Sequence, residues 1–145
     1  MANPFPFSSG AVLTAAELNA VGEWTDYTPT TTSWTGSFEY SKTIRIGELV
    51  IWKGRFDTDG AQSGTLTMTL PYSDGGLTRG GSGGSGIAYD ASADNSFAAS
   101  PYVASGNLQF IESQANNQTA INSTSPFTWA NGDSIRWLAF YETDA

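Results

Sequence analysis

Hydrophobic positions along this chain change period near Gly22. Upstream, residues 11–22 place Leu18 and Val21 on one face of a short amphipathic helix, with Leu13 just before it. Thr14 can cap the N-terminus and Glu17 follows three residues later, the spacing of a capping box. Gly22 is the expected stop. Residues 1–10 carry Phe5 and Phe7 among prolines and read as an extended arm. Two turns of helix are marginal in water without tertiary contacts. Phe5, Phe7, Leu13, Leu18 and Val21 therefore need a surface to cover them. That surface is either the chain's own β domain or a partner, and docking on a partner is the expectation. Residues 1–22 are thus read as an assembly segment and residues 23–145 as a β domain.

Downstream the period becomes two. Residues 23–35 read as an extended lead-in with one short strand. The clearest hairpin joins residues 37–46 to 49–57 at Gly47-Glu48, where glycine in the first turn position suits a type II′ turn. Val50, Trp52 and Phe56 share one face of the second strand. Leu49, Ile51, Lys53 and Arg55 share the other. Residues 65–70 alternate strictly, so that Leu66, Met68 and Leu70 face a core and three threonines face out. Residues 73–86 are glycine-rich and read as a flexible surface loop. Strands follow around 87–91, 96–103 and 107–113, then a loop over 114–125 and a turn at Asn131-Gly132. The last strand, 134–142, is apolar on both faces, including Leu138 and Phe140. An edge strand of that kind invites aggregation, so it is either central or covered by another subunit. Short strands punctuated by turns predict an all-β, antiparallel β-sandwich or jelly-roll-like domain.

Composition narrows the chemistry. The net charge is −8 with only 6 basic residues, which disfavours nucleic acid and anionic membrane surfaces. With no cysteine and no histidine, thiolate metal sites and the commonest general base are excluded. No segment has the length of a membrane span, and the N-terminus does not read as a signal peptide. Asp57-Thr58-Asp59-Gly60 resembles the opening of a calcium loop, but Ala61, Ser63 and Thr65 supply no later carboxylates. The glycine-rich tract lacks the Gly-Lys-Ser/Thr of a phosphate loop. No catalytic residue, metal site or cofactor is therefore expected. The two sequons at Asn117 and Asn122 read as loop residues. Five tryptophans and six tyrosines are abundant for this length. Trp52 and Trp137, on strands, are expected in the core. Trp34 and Trp129, near loops rich in Thr, Asn and Asp, are the candidate glycan-binding rings.

The phrase Phe5-Pro6-Phe7-Ser8-Ser9-Gly10-Ala11-Val12-Leu13-Thr14-Ala15-Ala16-Glu17-Leu18-Asn19 resembles the N-terminal segment of small virion proteins of tailed bacteriophages, including tail-fibre proteins. Gly22-Glu23-Trp24-Thr25-Asp26-Tyr27-Thr28-Pro29-Thr30, then Tyr40 and Arg45-Ile46-Gly47-Glu48-Leu49-Val50, is similar to the same group. So is Pro126-Phe127-Thr128-Trp129-Ala130-Asn131-Gly132-Asp133, followed by a strand and Tyr141-Glu142. The resemblance implies a non-enzymatic, homotrimeric β domain of fibre or capsid-decoration type, located in the virion and mounted on other virion proteins by its N-terminal segment. Leu138 and Phe140 are the expected subunit-interface residues. The alternative is a knob for host attachment that binds a surface glycan.

Overall fold

The alternating pattern downstream of Gly22 becomes one continuous antiparallel sheet in the computed structural model, which describes residues 22–74, 82–114 and 117–143. Its strands are β1 (Thr25–Asp26), β2 (Thr31–Thr32), β3 (Gly36–Ile46), β4 (Leu49–Thr58), β5 (Thr67–Thr69), β6 (Ser82–Asp90), β7 (Asn95–Ala104), β8 (Asn107–Gln114), β9 (Asn117–Ala120) and β10 (Ser134–Glu142). They lie in the order β1-β3-β4-β10-β6-β7-β8-β5-β2, with β9 on β8. The sheet curls into a half-barrel whose inner face is the core. The all-β, antiparallel expectation holds. In place of two separate packed sheets, β7 continues from one half into the other: Asn95 to Ala98 pair with β6, and Ala99 to Ala104 pair with β8. The expected N-terminal arm and helix lie outside the described residues, apart from Gly22.

The β3–β4 hairpin forms as read. Gly47 has φ of 61°, while Glu48 is not in the left-handed region, which fits glycine in the first position of a II′ turn. Val50, Trp52, Gly54, Phe56 and Thr58 face in. An extra residue between Phe38 and Tyr40 makes a β-bulge. It carries Glu39 to within 2.7 Å of Arg55, which also meets Asp57 at 2.8 Å.

Trp137 sits at the middle of β10 with Gly54 of β4 and Gly86 of β6 as its two cross-strand partners. A Cβ on Gly54 would lie 2.3 Å from the Trp137 ring, so the missing side chain is the space the indole occupies. The ring then meets Trp52 (5.5 Å, 88°), Phe38 (6.3 Å, 84°) and Phe110 (5.8 Å, 67°), all edge-on. Edge-to-face pairs of this kind add about 0.5–1.5 kcal/mol each beyond area burial. Phe110 belongs to β8, so these contacts join the two arms of the curl.

The glycine-rich tract departs from the expected flexible loop. Its described part, from Ser82, is a strand hydrogen-bonded to β10. A Cβ on Gly84 would lie 2.8 Å from Pro101 Cγ, and one on Gly86 would lie 2.6 Å from the Ala99 carbonyl. The bare inner side of β6 is what lets the second half of β7 cross directly over it, and Ser82 Oγ accepts the Val103 N–H at 2.9 Å. Residues 114–125 also hold more structure than a loop, because β9 pairs with β8 and Asn122 bridges to Thr65.

The lead-in spans the open side. β1 pairs with β3 at one end of the strand order and β2 with β5 at the other. Between them the Tyr27 hydroxyl donates to the Leu70 carbonyl at 2.9 Å, and Thr69 N–H donates to the Thr30 carbonyl at 3.0 Å. Nearby, the Tyr141 hydroxyl donates to the Tyr72 carbonyl and accepts the Tyr72 N–H (2.9 and 3.1 Å). Burial pushes this hydroxyl well above the ordinary tyrosine range.

Replacing Gly54 with Ala is expected to destabilise the fold by about 1–3 kcal/mol through overpacking against Trp137. Gly60, whose Cβ would meet nothing within 4 Å, should accept Ala without loss. Chemical denaturation of both variants checks the contrast. The stability Tyr141 contributes is present below its unfolded pKa of about 10 and is lost as pH rises toward its raised folded value. An ultraviolet titration should show a tyrosine that ionises only with unfolding.

Candidate assembly face

The same alternation that buries Trp137 turns Leu138 and Phe140 outward. β10 is central, between β4 and β6, yet Leu138 and Phe140 are 46% and 48% exposed. Of the two branches of the sequence reading, the strand is central in the sheet, and on its outer side Leu138 and Phe140 stay exposed while Ile44 of β3 is buried.

Register assembles the face row by row. Ile44 of β3, Ile51 of β4 and Phe140 of β10 form one cross-strand row, ending at Gly83 of β6. A Cβ on Gly83 would lie 2.8 Å from Phe140 Cζ, so the phenyl ring lies over the glycine. Ile46 and Leu49 pair beside this row, and Leu138 lies on its other side opposite Lys53 and Ser85. Ile87 stands opposite Arg136. Ile46, Leu49 and Ile87 are all exposed. Covering a side chain of this size completely contributes about 1.5–3 kcal/mol.

Charge is balanced on this face. Lys42, Lys53, Arg55 and Arg136 hold four of the chain's six basic residues on outward positions. Lys42 pairs with Asp26 at 3.0 Å, and Arg55 pairs with Glu39 and Asp57. Lys53 Nζ sits 4.0 Å from the Trp24 ring centroid, which brings the lead-in onto the outer side. Gly22, the first described residue, lies beside Ile46. The chain therefore passes into residues 1–21 at the margin of the apolar row. Phe5, Phe7, Leu13, Leu18 and Val21 fall in that segment, outside the described residues.

Trp34 and Trp129 are corrected. They are 4% and 1% exposed, packed edge-on against each other at 4.8 Å. Trp34 Nε1 donates to the Gly64 carbonyl and Trp129 Nε1 to that of Ser125, both at 3.2 Å. Phe127 covers Trp129 at 4.4 Å and Phe97 at 5.4 Å. Both indoles close one end of the half-barrel, so neither offers a flat face to a sugar. Trp52 and Trp137 are core, as read. Sequence reasoning missed Ile46 and Ile87 as outer-face residues, although Leu49 and Ile51 were legible as sharing that side.

Asp133, buried, accepts the Ala91 N–H with one carboxylate oxygen (2.9 Å) and the Ala130 N–H with the other (2.7 Å), fixing the turn before β10. That leaves it a structural role. Asp57, from the calcium-like motif, is engaged with Arg55. Among the described residues no group of three or more His, Cys, Asp or Glu side chains could hold a metal ion. Comparison with protein-family models, curated proteins and solved structures finds no match to this chain.

Trp34→Ala and Trp129→Ala are each expected to lower stability by about 3–5 kcal/mol, as for any large core truncation. Leu138→Asn should change stability by no more than about 0.5 kcal/mol, as on any solvated surface. Denaturation of the three variants under conditions that keep the chain monomeric separates core from outer face.

Proposed function

We propose that this chain is a non-enzymatic structural protein of a tailed-phage virion, a small trimeric surface component of fibre or decoration type. It is mounted on the particle through residues 1–22. The observation that carries the reading is the apolar row on the outer face of the central strand, Ile51 and Phe140 with Leu138 and Leu49 beside them. Within one chain the row buries Ile44 and half-buries Ile51, yet Ile46, Leu49, Leu138 and Phe140 remain exposed beside it, and clustered exposed apolar surface of this kind marks an interaction face. A second copy of the chain fits this face on electrostatic grounds. The molecule carries net charge −8, but on the outer face the four basic residues are offset by Asp26, Glu39, Asp57 and Glu142. Two copies approach there with least repulsion. Closed rotational symmetry is the rule for such contacts, and three-fold symmetry and the phage setting rest on the sequence resemblance.

The N-terminal segment supplies the second half of the reading. Its five apolar residues have no core of their own, and it leaves the domain beside the outer face. The host-attachment alternative loses Trp34 and Trp129 as sugar platforms.

Native mass measurement of the full chain at micromolar concentration should give a trimer. Leu138→Asn with Phe140→Ser should convert it to folded monomer. A folded, monomeric wild-type chain overturns the oligomer. Deleting residues 1–22 should leave a folded β domain that no longer joins particles, and normal incorporation of the truncated protein overturns the mounting role.

A further inference from the structure

An open cleft of about 360 Å³ lies at one end of the half-barrel, lined by Gly22, Glu23, Trp24, Thr25, Arg45 and Tyr72. Its size falls within the roughly 300–1,000 Å³ of small-molecule sites. β1 pairs only with Lys42 and Thr43 of β3, so the chain diverges from β3 just where Arg45 stands. Arg45 occupies an inward-phase position opposite Val50, at the rim where the core ends, and is exposed.

Arg45 is held without being neutralised. Its Nε donates to the Gly47 carbonyl at 2.9 Å, and its guanidinium carbon lies 5.3 Å from the Tyr72 ring centroid. No carboxylate among the described residues lies within ion-pair distance of it, in contrast to Lys42 and Arg55. Tyr72 is itself fixed by the paired hydrogen bonds of its backbone to the buried Tyr141 hydroxyl. Among the described residues the terminal guanidinium nitrogens thus stand on a rigid support with no hydrogen-bond or ion-pair partner.

We infer that this cleft binds a carboxylated sugar, a hexuronate or similar acid, with Arg45 as the anchor. A guanidinium takes a carboxylate through two parallel hydrogen bonds. Trp24 lines the cleft with Lys53 Nζ over one face of its ring, and its remaining ring surface serves the C–H face of a pyranose, while Tyr72 carries the guanidinium. The Glu23 carboxylate and Thr25 hydroxyl supply partners for ring hydroxyls. A neutral sugar lacks the group Arg45 requires, and a simple carboxylate lacks the ring that Trp24 requires. The chain's net charge of −8 opposes anions at long range, so affinity at one cleft is in the range of about 1 mM. Display of several copies raises it. The site lies within one chain and does not rest on the assembly reading.

The test titrates the full-length protein with methyl glucuronide, methyl glucoside and acetate, using calorimetry and amide shift mapping. Glucuronide should bind and perturb the Trp24 and Arg45 side-chain N–H signals, while glucoside and acetate bind at least about tenfold more weakly. Arg45→Gln and Trp24→Ala should each lower glucuronide affinity about tenfold or more, while Arg136→Gln, on the outer face, leaves it unchanged. Absence of binding at about 10 mM glucuronide overturns the site. So does equal binding of glucoside, or competition by acetate at equal strength. Shifts in the wild-type protein confined to other residues also overturn it, a readout that stands even if a variant fails to fold.

Discussion

The seating of Trp137 between two glycines organises this fold. The indole fills the volume that a side chain on Gly54 would occupy, and on the other flank Gly86 keeps β6 close. From that seat it reaches Trp52 and Phe38 on its own side of the curl and Phe110 on the other. A side chain at Gly54 would collide with the indole in the position from which it meets Phe110. The glycines at 84 and 86 do the equivalent for the backbone, since β7 crosses where β6 has no inward side chains. Curvature here is made by subtraction of side chains rather than by bulges alone.

That arrangement also decides what faces outward. Strand alternation is strict, so anchoring Trp137 and Tyr141 inside commits Leu138 and Phe140 to the outside. A one-residue slip would exchange the two sets and place Arg136 in the core. The apolar outer row is therefore as well determined as the core, although it contributes little to the stability of a single chain. The lead-in has a similar dual character. It bridges the open side through Tyr27 and Thr30, and just before that it forms a wall of the Arg45 cleft. The apolar outer row, the Arg45 cleft and the bridge across the open side all rest on elements whose positions follow from the same register.

Much of this was legible in the sequence. The β3–β4 hairpin, the inward set Val50, Trp52 and Phe56, the burial of Leu66 and Met68, and the extent of β10 all follow from period-two alternation and glycine in a turn. Residues 82–86 did not, because glycine has the same composition signal whether it frees a loop or admits a neighbour. Trp34 and Trp129 were misread because sequence proximity to polar loops says nothing of where those loops fold. Both rings turn inward to cap the barrel end, with their N–H groups satisfied by carbonyls 30 and 4 residues away. The lead-in was read with one short strand and holds two, β1 and β2, because each pairs with a different, sequence-distant strand at opposite ends of the sheet order. The Arg45 cleft was illegible for the same reason, since Trp24, Arg45 and Tyr72 meet only in three dimensions.

The seat of Trp137 can be observed directly by proton nuclear magnetic resonance of the native chain. The account predicts that the Gly54 α protons are shifted strongly upfield by the indole ring current and show cross-relaxation to the Trp137 ring protons. Gly54 α protons at ordinary shifts, with no cross-relaxation to that ring, would contradict it.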